Sequence, residues 1–301
     1  MRPGSLRPGS LRESADDGSL DPDAWSTAVG DLFCARSAVL RLGATIVAGD
    51  REVRVPYPDP GGAAPEYLAP DGNDPSPEMG AAERVLRPRD HKLAVELVLR
   101  NAVVDDAVRD PQLELALEND LARALADRAD RAFLNGGAGG PGPRGIADVV
   151  GVTNPGADAL VTVRDLVTAA RAADVRFANP GWILHPETLD ALSGLTTADG
   201  LAGGAGATLD SAPGLVEPDG VDGGTLLGYP FAVSTAVTEG GARRIFFAPD
   251  WSEAWFAFAD DIVAIDVSGD ANFGTDETVV RAVMHHDLVL RRPDGFVVSV
   301  E

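Results

Sequence analysis

Residues 58–80, PDPGGAAPEYLAPDGNDPSPEMG, carry six prolines and four glycines and cannot form a packed element. What flanks them can. REVRVPYP (51–58) alternates apolar and polar residues as a two-faced strand does, and ERVLRPRDHKLAVELVL (83–99) returns to that alternation. Two strands around a Pro/Gly tip predict an extended hairpin over residues 49–92. A two-stranded ribbon is marginal in water by itself, so this arm implies a surface outside its own domain that covers it.

The other limits are set by composition. A chain of 301 residues suffices for one large or two ordinary domains, and 45% hydrophobic content is ordinary for a globular protein. No run of about 18 apolar residues exists, so no membrane-spanning helix is predicted. MRPGSLRPGSLRESADDGSL at the N-terminus has arginines but no apolar segment, which does not read as a secretory leader. A soluble chain that folds inside the cell is expected. Residues 1–24, with RPGSL at 2–6 and again at 7–11, are read as a disordered arm. Cys34 is the single cysteine and excludes an internal disulfide or a cysteine-based zinc site within one chain. Forty-seven acids against 25 bases give a net charge of −22, which argues against a protein whose task is gripping nucleic acid. Between Phe177 and Ala242 there are eight acids and no Lys or Arg, and the chain has one lysine, Lys92.

Along the ordered part, an amphipathic stretch around Trp25, Val29, Leu32 and Phe33 runs into AVLRLGATIVAG (38–49), read as a strand. The clearest helix is 111–135. Asp110 can cap it, Pro111 suits its first position, and Gly136-Gly137 ends it. Leu113, Leu117, Leu121, Ala124, Leu125, Ala129 and Ala132 form its expected apolar stripe, along a rod of roughly 36 Å. Residues 151–265 read as an α/β unit after the linker 135–146. It comprises a helix opened by Thr162 and Asp165, a buried strand GWILH (181–185), a helix from Pro186 and a Gly-rich acidic loop (198–224). Strands at 226–237, 243–249 and 254–267 follow. Two further strands flank the turn Arg292–Gly295.

No pattern of catalytic residues emerges. His285-His286-Asp287 lies on a strand, where neighbouring side chains face opposite sides, and no GxSxG or HExxH accompanies it. A packed or interfacial role is expected for it, and a structural one for His185. GGAGGPGPRG lacks the GKS/GKT ending of a phosphate loop. A calcium loop starting at Asp71 fails at Ser76 and Ala82, where Gly and Glu are required. No catalytic residue, cofactor site or metal site is predicted.

The ordered segments together resemble the HK97-like major capsid proteins of tailed phages over residues 25–301. RDHKLAVELVLRNAVVDDA (89–107) is similar to the strand leading out of that family's extended loop. RADRAFLNGGAGGPGPRGI (128–146) is similar to the close of its spine helix, and GWILHPETLDALSGLTTADG (181–200) to its W-hydrophobic-hydrophobic-H/N-P-x-T segment. LLGYPFAVSTAV (226–237), IFFAPDWSEAWFAFADDIVAIDV (245–267) and the closing R…D…P-x-G-F (281–296) complete the series in order.

The resemblance implies an α+β fold with an N-terminal arm (1–24), the start of the ordered fold (25–48) and an extended loop (49–92). A peripheral domain (93–147 and 266–301) would be built on the spine helix 111–135, and an axial domain would span 148–265. It further implies hexamers and pentamers tiling an icosahedral shell around double-stranded DNA, in a virion assembled in the host cytoplasm. Tyr57, Tyr67, Arg84, Arg87 and Arg89 are the expected contacts between subunits. Some relatives cross-link through a lysine of the extended loop. Here the loop tip has none and Lys92 lies at the base of the returning strand, so a non-covalent shell is expected. Other relatives begin with a long scaffolding segment, whereas this chain shows a short polar arm; a separate scaffolding protein, or none, is expected, with portal and cement proteins as further partners. An encapsulin-type compartment, a gene-transfer particle and a defective prophage shell share the fold and stand as alternatives.

Overall fold

Residues 20–49, 51–58, 80–136, 141–150, 159–173, 175–193, 216–219 and 223–300 are described in the computed structural model. Helices Pro22–Arg36 (α1) and Ala38–Arg41 (α2) open the ordered chain. Asp21 caps α1, its carboxylate accepting from the Asp23 N–H at 3.1 Å. Ser37 caps α2, its hydroxyl accepting from the Leu40 N–H at 3.4 Å. The strand expected over 38–49 is thereby shortened to Thr45–Ala48 (β1). The cause is a partner distant in sequence: the Asp130 carboxylate accepts the Ala38 N–H at 2.8 Å and supports the helical turn.

The expected hairpin is formed by Val53–Pro58 (β2) and Ala81–Leu86 (β3), antiparallel from Val53↔Leu86 to Pro58↔Ala81. A 3-10 turn at Pro88–Asp90 leads into Lys92–Arg100 (β4), then helix Asn101–Arg109 (α3). Helix Pro111–Asn135 (α4) has the predicted ends: Asp110 accepts from the Gln112 N–H, and Gly136 leaves at φ 84°. Its buried face is centred on Glu118, Ala122, Leu125, Ala129 and Phe133. Ala124, assigned to the stripe, is exposed, because the face that meets α1 and β4 lies a fraction of a turn away.

Ile146–Val150 (α5) and Ala159–Ala172 (α6) follow, then Gly181–Leu184 (β5) and Pro186–Ser193 (α7). Helix α6 starts upstream of Thr162, which therefore lies inside the helix and not at its cap. The remaining strands are Val216–Pro218 (β6), Gly224–Leu226 (β7), Tyr229–Val233 (β8), Thr238–Glu239 (β9), Ala242–Ala248 (β10), Ala254–Phe258 (β11), Ala264–Asn272 (β12), Glu277–Leu290 (β13) and Val297–Val300 (β14). Two runs expected as single strands are broken by left-handed backbone. Leu227 (φ 53°) and Gly228 (φ 80°) make a two-residue hairpin turn between β7 and β8, and Asp260 (φ 57°) stands between β11 and β12.

One sheet runs β1-β11-β13-β12, with β4 also paired to β13; a second runs β14-β10-β5-β8-β7-β6, with β9 on β10. The main core joins Trp25, Phe33, Leu125, Phe133, Trp251, Phe256 and Phe258, and it continues into the second sheet through Ile183, Phe246 and Val298. The opposite face of that sheet carries a second core of Trp182, Phe231 and Phe247 under α6. A third, small cluster, Val55 and Leu86 against Ala257, is what the hairpin buries.

Candidate functional site

The base of the hairpin brings together most of the residues that the sequence singled out. Val55 and Leu86 are fully buried against Ala257, with Val53, Trp255 and Val289 packed around them. Outside that seal the ribbon carries charge. Arg54 pairs with Glu52 (3.0 Å) and Glu83 (3.2 Å), and the Arg84 guanidinium lies 4.6 Å over the Tyr57 ring. Arg291 ties the ribbon down, donating through Nε to the Pro56 carbonyl and through Nη1 to both oxygens of Glu253.

Asp287, at the C-terminal end of β13, anchors the next turn. It accepts from the Arg87 N–H at 2.7 Å and from the Leu288 N–H at 2.8 Å. Burial raises its pKa, partly offset by those donors and by His91. His91 contacts the Pro141 carbonyl through Nδ1 at 2.9 Å, and its Nε2 lies 3.8 Å from Asp287. The imidazole thereby links the hairpin base to the segment that follows α4.

The adjacent histidines divide as strand geometry requires. His285 is partly exposed, and its pKa is lowered by desolvation and then by Lys92 and Arg89. His286 is 3% exposed, with its ring edge-on to Phe133 at 5.0 Å. Neither of its ring nitrogens has a partner among the described residues, and burial lowers its pKa to about 4. Two hollows flank His91. One, about 420 Å³, is lined by Arg84, Arg87, Asp90, Arg144 and Asp287; the other, about 160 Å³, by Lys92, Arg128 and His286. Neither lining includes Ser, Thr or Cys. Among the described residues no group of His, Cys, Asp and Glu is placed to hold a metal ion.

Of the expected contact residues, Tyr57 and Arg84 are half-buried together on the ribbon, Arg87 is exposed at its base, and Arg89 is bound to Asp260 at 2.7 Å. Tyr67 lies outside the described residues. Lys92 opens β4 beyond the Pro88–Asp90 turn, off the ribbon itself. Sequence reasoning missed two ties at the C-terminal end of α4's buried face. Asp130 accepts from the Ser37 hydroxyl at 2.5 Å; Asn135 donates to the Ala236 carbonyl and accepts from Arg244, which also pairs with Glu239. A polar residue within an apolar helical stripe is the signal that marks both.

A family model matches residues 18–300, that of the phage capsid family. The chain belongs to the phage capsid family. It is thus a structural protein, a major capsid protein with the HK97-like fold, and solved structures carry the same architecture. The capsid of a native GTA particle computed with C5 symmetry aligns with TM-score 0.60 and 17% identity, over 88% of this chain and 90% of that one. A chain of Mycobacterium phage Adephagia gives 0.58 and 17%, over 88% and 89%. One of Microbacterium phage Oxtober96 gives 0.59 and 14%, over 88% and 90%. No curated protein sequence matches the chain. At such identities the likeness is one of fold. Among the described residues no helix is long and apolar enough to cross a membrane.

Proposed function

We propose that copies of this capsid protein assemble as hexamers and pentamers into an icosahedral shell around double-stranded DNA, in a virion put together in the host cytoplasm. The observation that carries this reading is the hairpin. Its strands bury Val55 and Leu86 at the base and leave Arg54, Val85 and Arg87 facing solvent in the single subunit. A ribbon of that kind gains its burial from a neighbour. Tyr57, Tyr67, Arg84, Arg87 and Arg89 are the contacts we assign across subunits.

The domain layout that accompanies this reading has the extended loop at 49–92, a peripheral domain at 93–147 and 266–301, and an axial domain at 148–265. Three strands lie across that division: β11 pairs with β1 and β13, β14 pairs with β10, and β12 runs through the boundary at 265/266. The two domains then move as one piece unless these strands separate. The net charge of −22 suits a container that holds DNA without gripping it, since each basic contact to phosphate would add affinity. A separate scaffolding protein, or none, serves assembly in this reading, with portal and cement proteins as further partners. With its only lysine off the ribbon, the shell is held without covalent links. Electron microscopy of the purified protein tests the reading: uniform closed particles are expected, and a chain that stays monomeric at all concentrations and salts contradicts it.

A further inference from the structure

The chain carries a net charge of −22, yet the smaller hollow beside His91 has no carboxylate in its wall. Lys92 at the start of β4, Arg128 on α4, and the imidazoles of His91 and His286 line a space of about 160 Å³. The rest of the lining is leucine, alanine, proline and glycine. Lys92 and Arg128 are exposed and make no ion pair among the described residues. Their two charges are left to solvent or to a ligand.

A second observation comes from His286 in the same lining. It is 3% exposed, and neither ring nitrogen has a hydrogen-bond partner among the described residues. Buried polar atoms left unpaired are costly, and the rings of Phe133 and Phe258 pack around the imidazole. His91 is committed elsewhere, with Nδ1 on the Pro141 carbonyl at 2.9 Å, where only an N–H can donate. Its Nε2 lies 3.8 Å from Asp287, a carboxylate of the other hollow that already accepts the Arg87 and Leu288 N–H groups. Both His91 and His285 oppose a proton on His286. Two fixed cations, a field that resists further positive charge and an unpaired imidazole are together the setting for an anion.

We propose that this hollow binds a small tetrahedral oxyanion of the phosphate class, with Lys92 and Arg128 supplying the charge and His286 a ring N–H. The two fixed cations match a dianion, and charge-assisted hydrogen bonds to separate oxygens can reach β4, α4 and β13 at once. Free phosphate and the phosphate of a DNA strand share this chemistry. The size of the hollow favours the free ion, since pockets for drug-sized ligands run to about 300 Å³ and more. Bound there, the ion ties the start of β4 to α4 and β13 within one subunit, so the site does not depend on the shell reading.

The probe is sodium phosphate added to unassembled subunits of the full chain, against sodium chloride at matched ionic strength. At about a hundredfold excess over its dissociation constant, phosphate is expected to raise the melting temperature by about 4 °C. It should also shift the ¹⁵N signals of the His286 ring, which lies out of reach of ions that only screen the surface. Lys92→Gln combined with Arg128→Gln is expected to weaken phosphate binding about tenfold or more. Arg123→Gln, exposed on the same helix and outside the hollow, should leave binding unchanged. Equal stabilisation by chloride, unmoved His286 signals, or undiminished binding by the double variant each overturn the site. A short DNA duplex separates the two sources. If it shifts the His286 signals while free phosphate does not, a strand occupies the hollow and the free-ion site falls. Both substituted cations are exposed, so the double variant is expected to fold; should it not, the His286 signals of the parent chain decide.

Discussion

Burial moves two side chains of the core in opposite directions. His286 has its pKa lowered to about 4, chiefly by desolvation, with His91 and His285 adding repulsion. Between pH ~6.5 and 4 the unfolded chain holds a proton there that the folded chain lacks, so stability falls as pH drops through that window, by about 3 kcal/mol. Asp130 has its pKa raised to about 6, again chiefly by desolvation, against the hydrogen bonds from Ser37 and Ala38 that favour the charge. Between pH ~3.8 and 6 the folded chain holds the extra proton, and this contribution grows as pH drops. The two cancel in part over pH 4–6, and single substitutions uncover them. Relative to the parent, His286→Leu is expected to gain about 2 kcal/mol on going from pH 7.5 to 4.5, and Asp130→Asn to lose a similar amount. Urea unfolding of unassembled subunits at the two pH values reads both; shifts of the same sign contradict the assignment. Sequence alone could place neither group. Strand alternation showed that one histidine of the pair faces inward, but which one depends on β11 and α4 packing over His286. Asp130 owes its burial to Ser37, 93 positions away.

At the level of elements, what a helix or strand states about its own ends was legible. Asp110, Pro111 and Gly136 bound α4 because each acts within a turn of itself, whereas the left-handed break at Leu227 is invisible to alternation. The segment after α4 shows how far local signals reach. Its Gly/Pro content announces a linker, but not that the linker folds back on itself: a Cβ on Gly145 would meet the Gly136 nitrogen at 2.1 Å and the Asn135 carbonyl carbon at 2.6 Å. The atoms that fill that space are backbone of Asn135 and Gly136 and cannot swing aside as a side chain would. Gly145→Ala is therefore expected to destabilise the subunit by at least about 2 kcal/mol, because the crossing must open and Asn135 is pulled from Ala236 and Arg244. Gly274, where an added methyl would meet nothing within 4 Å and φ is not positive, serves as the control; its change to Ala should stay within about 0.5 kcal/mol. Equal effects at the two positions, measured by chemical denaturation, would show that the crossing is not what makes Gly145 necessary.

For the whole molecule, the hairpin separates folding from assembly. The subunit's core runs through α1, α4 and both sheets, and among the described residues the ribbon's fully buried contribution is Val55 and Leu86, through contact with Ala257. Those two residues lie on the six-pair ladder that ends at Pro58↔Ala81, so everything beyond that pair can be removed without opening the seal. Replacing residues 59–80 by Asn-Gly, which suits a two-residue hairpin turn, should leave the melting temperature of the subunit within about 2 °C of the parent, since every core contact among the described residues is kept. Closed particles should disappear, because the deletion removes the segment that we place on a neighbour. A lower melting temperature together with lost particles would mean that the tip supports its own subunit. Unchanged particles of parental diameter would mean that the arm is dispensable, and the surfaces holding the shell would have to be sought along the spine helix and the outer strands instead.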